Sequence, residues 1–351
     1  MRVALLANIK PKENVTSPRG PFADDTFAEW DSLETVQAVC DALASNPNVE
    51  CEIVEAVPEI ALPRLMVRKY DIVFNIAEGM RGASREAQFP AVMEMLGIPY
   101  TGSGPLTLAI ALDKARTKEV LAHHGIPVAR FTTSSDTDAV LAKLLPGAEF
   151  PIVVKPLSEG SSKGVKNSSF VTSDAELRAE IRRIASSYDQ PAIIEEFLPG
   201  REFTVAVLGN GNDARVLPIV EIQLTELPAE ANGIYSYEAK WIYDVRENPL
   251  DIFSCPADLT DELRKDITET VLKTYRVLDC RDWSRIDVRL DRNGKANIIE
   301  VNPLPGILPN PEDNSCFPKA ARTAGMSYNE TMLAVLKAGC KRYGIKFSAN
   351  D

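Results

Sequence analysis

Residues 285–306 read RIDVRLDRNGKANIIEVNPLPG, and two runs of alternating apolar and polar residues flank Asn293-Gly294. This dipeptide is a strong hairpin signal because a type I′ turn needs positive φ at both central residues. If these two residues form the loop, Asp287 pairs with Glu300 and Arg285 with Asn302, all on one face. The opposite face is predicted to lie against the core and carries Ile286, Val288, Ile299 and Val301.

The polar face of this hairpin predicts a metal site. Directly opposed Cβ atoms lie roughly 4.5–5.5 Å apart, so facing carboxylates repel unless a proton or a cation lies between them. Oxygen atoms from Asp287, Glu300 and Asn302 suit Mg²⁺ or Mn²⁺. The alternative is a solvated sheet face with charges at alternate positions. The Pro-Leu-Pro-Gly sequence at 303–306 ends the second strand, so the Gly306 N–H could meet a ligand there.

Composition and charge restrict the class of protein. The 351 residues suggest two or three domains, and the net charge of -11 argues against a nucleic acid or an anionic membrane as partner. No apolar run is long enough for a membrane span or the core of a signal peptide, so we expect a cytoplasmic protein. The six cysteines show no CxxC spacing, and the two histidines are adjacent. A disulfide framework, a zinc site and a His-based triad are therefore not expected.

The order of predicted elements indicates an α/β (α+β) protein. An apolar strand at 2–6, a helical pattern at 32–43 and a buried strand at 71–75 are typical of a small parallel sheet. Two glycines at 101–104 interrupt the pattern, which places the first domain boundary there. We predict an N-terminal domain at 1–103, a central domain at 104–190 and a C-terminal domain at 191–351.

Four segments before the hairpin carry candidate binding residues. Lys155 ends an apolar strand ahead of a Gly- and Ser-rich loop at 157–164, an arrangement that can cradle an anion, and Lys114 lies in the first turn of a helix. No GxxxxGK[ST] motif is present, so this is not a P-loop. The segment 195–202 could present backbone groups to a base, and 225–250 could form a lid. Each has a structural alternative. Lys114 could be a surface lysine and 157–164 a flexible hairpin loop, while 195–202 could be an ordinary β-turn and 225–250 a self-packed Ω-loop.

In combination these motifs resemble the ATP-grasp superfamily and, within it, the D-alanine–D-alanine ligase family. The resemblance runs from about residue 70 to the C-terminus. The segments that carry it are IPYTGSG (98–104), DKARTK (113–118), IVVKPLSEGSSKG (152–164), YSYEAK (235–240), SRIDVRL (284–290) and IIEVNPLPG (298–306). It implies three domains, with ATP held between the antiparallel sheets of the second and third domains.

The resemblance also implies roles for individual residues. Lys114 and Lys155 would contact phosphates, with Ser161 and Ser162 in a loop that covers them and Lys240 assisting from the lid. Asp287, Glu300 and Asn302 would hold two Mg²⁺ ions, while Arg285 and the Gly306 N–H would stabilise an oxyanion. The remaining implied contacts are Glu195, Glu196, Phe197 and Leu198 to adenine, Glu202 to ribose, and Ser315, next to Cys316, to the carboxylate of the acceptor amine.

The chain departs from the family where the substrates would bind. The family holds the ammonium of the first amino acid with a glutamate, for which Glu29, Asp31 and Glu34 are equal candidates here. Glu78 lies in the region of a family histidine, and Trp241 replaces a tyrosine. The loop at 307–314, beside the acceptor pocket, is also longer.

We therefore expect an ATP-dependent carboxylate–amine ligase that forms an amide through an acyl phosphate. Its substrates would be small molecules, with amino acids favoured. Cell-wall dipeptide synthesis and a specialised dipeptide or conjugate pathway are rated nearly equal. A phosphotransferase and a non-catalytic nucleotide-binding module are the alternatives from other classes. The resemblance also suggests a homodimer.

Overall fold

The computed structural model describes residues 1–11, 16–17, 20–21, 25–67, 69–228, 231–240, 250 and 252–347. The strands are β1 (Arg2–Ala7), β2 (Thr16–Ser17), β3 (Gly20–Pro21), β4 (Glu50–Glu55), β5 (Ile72–Ile76), β6 (Phe131–Ser134), β7 (Ile152–Pro156), β8 (Phe170–Val171), β9 (Ala192–Glu196), β10 (Glu202–Leu208), β11 (Arg215–Val216), β12 (Val220–Ile222), β13 (Phe253–Ser254), β14 (Trp283–Leu290) and β15 (Ala296–Asn302). The helices are α1 (Leu33–Ala44), α2 (Pro58–Met66), α3 (Gln88–Leu96), α4 (Pro105–Leu112), α5 (Lys114–His123), α6 (Leu141–Leu144), α7 (Asp174–Tyr188), α8 (Asp261–Val277), α9 (Cys316–Thr323) and α10 (Tyr328–Tyr343).

The N-terminal part forms a parallel sheet in the order β4-β1-β5. From Val3 to Ala7, β1 is fully buried, as expected of a central parallel strand covered on both faces. Helix α1 begins where the Ser32 hydroxyl accepts a hydrogen bond from the Thr35 N–H, and it packs against α10. The predicted parallel sheet is confirmed.

The central part is a four-stranded antiparallel sheet in the order β6-β9-β7-β8. Helix α7 covers it with Leu177, Ile181 and Ile184, which recur at helical spacing and are buried. Strand β9 belongs to this sheet, whereas the predicted C-terminal domain begins at 191. The two boundaries between the three domains stay a prediction.

The C-terminal part is a six-stranded sheet in which β13, β12, β10, β14 and β15 follow one another and β11 pairs with β10. Its pairs are antiparallel, and α8 packs on one face over Ile286, Val288 and Val301. One element was not predicted at all: helix α7.

The β14–β15 hairpin has the predicted partners at its functional end but a different loop. Arg285 pairs with Asn302 and Asp287 with Glu300. The Gly294 N–H donates to the Asp291 carbonyl, and of Asn293 and Gly294 only the glycine has positive φ, so residues 292–294 form the loop in place of a type I′ turn.

A β-bulge restores the pairing that the different loop would have shifted. Val288 pairs with Ile298, and the register changes between Asp287 and Val288, which leaves Ile299 as the extra residue. The prediction that Ile299 faces the core is therefore wrong: Ile298 takes the buried position, and Ile299 lines a cavity. In the described ranges, no helix is both long and apolar enough to span a bilayer.

Candidate active site

A cavity of about 300 Å³ lies between the central and C-terminal antiparallel sheets. The predicted site residues that line it are Lys114, Lys155, Ser161, Ser162, Glu195, Glu196, Phe197, Leu198, Glu202, Lys240, Arg285, Asp287, Glu300, Gly306, Ser315 and Cys316. A smaller cavity of about 80 Å³ shares part of this lining and adds Glu78 and Asn302. Trp241 lies outside the described residues. The structure thus brings the remaining candidates together around two adjoining cavities.

Asp287 is held by three neighbours on the polar face of the hairpin. Arg285 donates to both of its carboxylate oxygens, at 3.1 and 3.0 Å. The Thr204 hydroxyl donates to Asp287 at 2.7 Å, and Asn302 Nδ2 donates at 3.2 Å. Because Asn302 uses its amino group here, its carbonyl oxygen is the atom that can ligate a cation.

Glu300 pairs with a lysine from a distant part of the chain. Lys114 Nζ lies 2.6 Å from Glu300 Oε1 and also donates to the Glu159 carbonyl. Burial alone would raise the pKa of Glu300, but Lys114 and Lys155 outweigh it and hold the pKa below its usual value. Glu300 is therefore a carboxylate at neutral pH.

The donor set of the hairpin fits a hard divalent cation. Asp287 and Glu300 are directly opposed, and Asn302 adds an amide oxygen beside them. Oxygen ligands of this kind suit Mg²⁺. Over the described ranges, no group of three or more His, Cys, Asp and Glu side chains forms a metal cluster.

Glu195 joins two buried lysines on the opposite wall. Its oxygens lie 2.8 Å from Lys118 Nζ and 2.6 Å from Lys155 Nζ. Burial would raise the pKa of Glu195, yet the two ammonium groups lower it to about 2. Sequence reasoning missed Lys118. Its spacing of four residues from Lys114 on α5 was the available signal, because it places both side chains on one face.

Glu202 and Phe197 share one cationic partner. Arg289 Nη1 lies 3.0 Å from Glu202 Oε2, and the Arg289 guanidinium lies 4.7 Å from the centre of the Phe197 ring. Arg289 was not predicted, although it faces the same side of β14 as Arg285 and Asp287. Burial raises the pKa of Glu202, and the positive charge of Arg289 offsets this increase only in part.

The Gly- and Ser-rich loop has an unusual backbone. Ser161 and Ser162 both have positive φ, 51° and 59°, a conformation that costs roughly 1–3 kcal/mol at a non-glycine residue and often marks functional sites. Two carboxylates from the N-terminal part accept hydrogen bonds from its backbone. The Gly160 N–H donates to Glu29 at 2.8 Å, and the Gly164 N–H donates to Asp25 at 3.0 Å. The loop is thus fixed over the cavity.

The candidates for the donor ammonium can now be separated. Glu29 and Asp31 line both cavities, whereas Glu34 is exposed on α1 and lines neither of them. Glu29 also accepts from Arg85 at 2.7 Å. Burial raises the pKa of Asp31 to about 7, against the effect of nearby Lys10.

Lys240 and Ser315 complete the wall beside Arg285. Burial and the positive charge of Arg285 lower the pKa of Lys240 to about 8. The Ser315 hydroxyl donates to the Gly306 carbonyl at 3.0 Å and accepts from the Leu308 N–H at 3.2 Å. Ser315 thus fixes the turn that presents Gly306. Burial raises the pKa of the neighbouring Cys316 thiol to about 12, so it stays protonated.

Comparison with known proteins gives one consistent result. A family model described as the C-terminus of D-ala D-ala ligase matches residues 120–337. The D-alanine--D-alanine ligase of Bordetella petrii is 34% identical over 340 residues, which cover 94% of this chain and 97% of that protein. The uncharacterized protein y4sG of Sinorhizobium fredii is 32% identical over 330 residues, covering 93% of this chain and 89% of that protein.

A solved structure shares the fold. The crystal structure of D-alanine--D-alanine ligase from Bacillus anthracis complexed with ATP superimposes with a TM-score of 0.72 at 20% identity, covering 98% of this chain and 99% of that chain. The fold is therefore the ATP-grasp fold, as predicted. With the sequence relatives added, the chain belongs to the D-alanine–D-alanine ligase family. Membership favours an ATP-dependent ligase over the phosphotransferase and binding-module alternatives.

Proposed function

We propose that this protein joins a carboxylate to an amine at the expense of ATP, with an acyl phosphate as intermediate. The observation that supports this most directly is the convergence of Arg285, Asp287 and Glu300 with Lys114 and Lys155 around one cavity. A site that only bound a nucleotide would not need Arg285 and a backbone N–H beside the reacting carbon.

In the proposed reaction, a carboxylate oxygen attacks the γ-phosphorus of ATP and ADP leaves. The amine nitrogen then attacks the carbonyl carbon of the acyl phosphate, loses a proton, and phosphate departs as the amide forms. Lys114 and Lys155 balance phosphate charge, and Ser161 and Ser162 cover it. Arg285 and the Gly306 N–H stabilise the oxyanion of the tetrahedral intermediate.

The same proposal assigns the remaining contacts. The backbone of 195–198 holds adenine, Glu202 holds ribose, and Lys240 approaches the phosphates from the lid. Asp287, Glu300 and Asn302 would hold two divalent ions, either Mg²⁺ or Mn²⁺. When bound, the metal neutralises charge on the transferred phosphoryl group.

The first experiment is a substrate panel. Phosphate release from ATP is measured with Mg²⁺ and D- and L-amino acids, singly and in pairs, and the products are analysed by mass spectrometry. Release with D-alanine alone and a D-alanyl dipeptide supports cell-wall synthesis. Release with another pair supports a specialised ligase. ATP consumption that needs no amine and gives a phosphorylated product would overturn the ligase proposal.

Two predictions from the resemblance accompany this proposal. A homodimer is tested by analytical ultracentrifugation across a concentration series. A cytoplasmic location is tested by fractionating cells that express the protein and assaying each fraction.

A further inference from the structure

The smaller cavity carries carboxylates that the proposed mechanism does not use. It adjoins the main cavity through Lys114, Arg285 and Glu300, and its lining adds Glu78 and Glu86 from the N-terminal part. Glu78 follows strand β5, and Glu86 lies in the 3₁₀ turn Arg85–Ala87.

Among the residues that the structure describes, Glu86 is a buried carboxylate with no hydrogen-bond or ion-pair partner. Only 7% of the residue is exposed, and what remains faces this cavity. Burial raises the pKa of its carboxyl, and the positive charges of Arg85 and Lys114 oppose this increase without overcoming it. The neighbouring cation is already engaged, because Arg85 Nη2 lies 2.7 Å from Glu29 and 3.1 Å from Glu159.

The backbone holds Glu78 beside Glu86 in spite of their like charges. Gly79 has a φ of 72°, and a Cβ there would lie 2.6 Å from the Arg85 carbonyl oxygen, so only glycine allows this approach. Burial raises the pKa of Glu78 well above its usual value, and Glu86, Glu29 and Asp31 raise it further against the opposing effect of Arg85.

Such an arrangement costs free energy in the protein alone. A buried carboxylate without a partner must either take up a proton or meet a cation. The hairpin carboxylates Asp287 and Glu300 form ion pairs with Arg285 and Lys114, but Glu78 and Glu86 form none within the part of the chain that the structure describes. Asp31 lies in the same cavity beside Glu29 and can receive one ammonium group, which leaves Glu78 and Glu86 for a second.

We propose that Glu78 and Glu86 form a second cation subsite and that the carboxylate donor is a short diamino acid. Its carboxylate faces Arg285, its α-ammonium faces Glu29 and Asp31, and its side-chain ammonium lies between Glu78 and Glu86. The cavity of about 80 Å³ has room for a side chain of only a few heavy atoms. This inference rests on the proposed ligase function.

The test compares small donors with and without a side-chain ammonium group. Two diamino donors, diaminopropionate and diaminobutyrate, are compared with alanine, serine and aminobutyrate by their relative kcat/KM values. Both enantiomers of each donor are assayed with ATP, Mg²⁺ and the amine panel. We expect at least a tenfold preference for a diamino donor. Glu78→Gln and Glu86→Gln should each reduce this preference by about tenfold or more, as loss of one partner of a buried charge pair does.

The matched control is Glu34→Gln, which removes an exposed carboxylate of the same region and should leave the preference unchanged. Calorimetry of donor binding to the full-length protein with a non-hydrolysable ATP analogue separates the two proposals. Diamino-acid binding that Glu86→Gln abolishes, without amide formation, keeps the subsite and overturns the ligase function. Amide formation with neutral donors at equal or higher kcat/KM overturns the subsite alone. Absence of both binding and turnover overturns both.

Discussion

Two pairs of carboxylates face the cavities, and the protein treats them in opposite ways. Asp287 and Glu300 lie on paired strands, and each meets a cation of the chain, Arg285 and Lys114 respectively. Glu78 and Glu86 lie in a loop and a 3₁₀ turn, and within the described ranges no cation pairs with either of them. The pKa of Glu300 is accordingly lowered, whereas burial raises that of Glu86 to about 8.

The difference indicates what each pair is prepared to bind. On the hairpin, the chain supplies the balancing charge, so Glu300 is ionised before any ligand arrives. In the N-terminal part the balancing charge is left to a proton or to a ligand. The charge of the hairpin pair is therefore balanced before a ligand binds, whereas the charge state of Glu78 and Glu86 depends on the ligand.

The largest effect is expected from the hairpin pair. Asp287→Asn or Glu300→Gln should lower turnover by roughly 10³-fold, because a catalytic metal contributes several kcal/mol to the transition state. The measurement is kcat over a Mg²⁺ titration, in which the residual activity should need more metal than the parent protein does.

Glu262→Gln is the control for this prediction. Glu262 is an exposed carboxylate in the first turn of α8, away from both cavities. Its substitution should leave kcat unchanged. Near-normal turnover in both hairpin variants would contradict the assignment of Asp287 and Glu300 as metal ligands. The proposed difference in function between the two carboxylate pairs would then fail as well.

The second prediction concerns the cation that balances Asp287. Arg285→Ala should lower kcat by roughly 10²–10³, as loss of an oxyanion donor usually does. Arg289→Ala, on the same strand face, should instead raise KM for ATP, because Arg289 contacts Glu202 and Phe197. Steady-state kinetics at varied ATP separate the two. If Arg285→Ala raised only KM for ATP, Arg285 would be a binding residue.

The hairpin shows how far local sequence rules reach. Alternation and the Asn-Gly dipeptide predicted the pairing of Asp287 with Glu300, because one face of a strand must be buried. They failed at the loop and at Ile299, since a longer loop and a bulge shift the register by equal and opposite amounts. Nothing in a two-residue turn rule anticipates a bulge several residues away.

Contacts between distant segments were beyond the sequence. The pairing of Lys118 with Glu195, and of Lys114 with Glu300, depends on how the sheets pack, which no periodicity encodes. The same holds for Glu29, whose role depended on an N-terminal loop reaching Gly160. Helix α7 was missed although Ser173 and Glu176 have the spacing of an N-terminal capping signal.

The third prediction uses Lys240, which faces Arg285 on the cationic side of the cavity. Because its pKa is lowered to about 8, it is an ammonium below that pH and loses its charge above it. We expect kcat/KM to fall above pH 8 by up to about tenfold per pH unit. Lys240→Arg keeps its charge, so the ratio of variant to parent should rise with pH. A constant ratio from pH 7 to 9.5 would exclude Lys240 as the titrating group.

The smallest effect, and the most direct comparison of the two pairs, is on stability. At pH 7 Glu300 is ionised and paired, and its stabilising effect is lost only as the pH falls through its lowered pKa. Glu300→Gln should therefore lower the melting temperature by a few degrees at pH 7 to 8.

Glu86 should behave in the opposite way. Its folded pKa of about 8 lies above the ordinary value for glutamate, so the folded state keeps a proton that the unfolded state has lost, and stability falls as the pH rises towards 8. Glu86→Gln removes this dependence. Between pH 5.5 and pH 8, scanning calorimetry should show a smaller drop in the melting temperature of the variant than in that of the parent. A short diamino acid should raise the melting temperature of the parent at pH 8. An equal drop in the variant and the parent would mean that Glu86 carries no pH-dependent cost, and the contrast with Glu300 would fail.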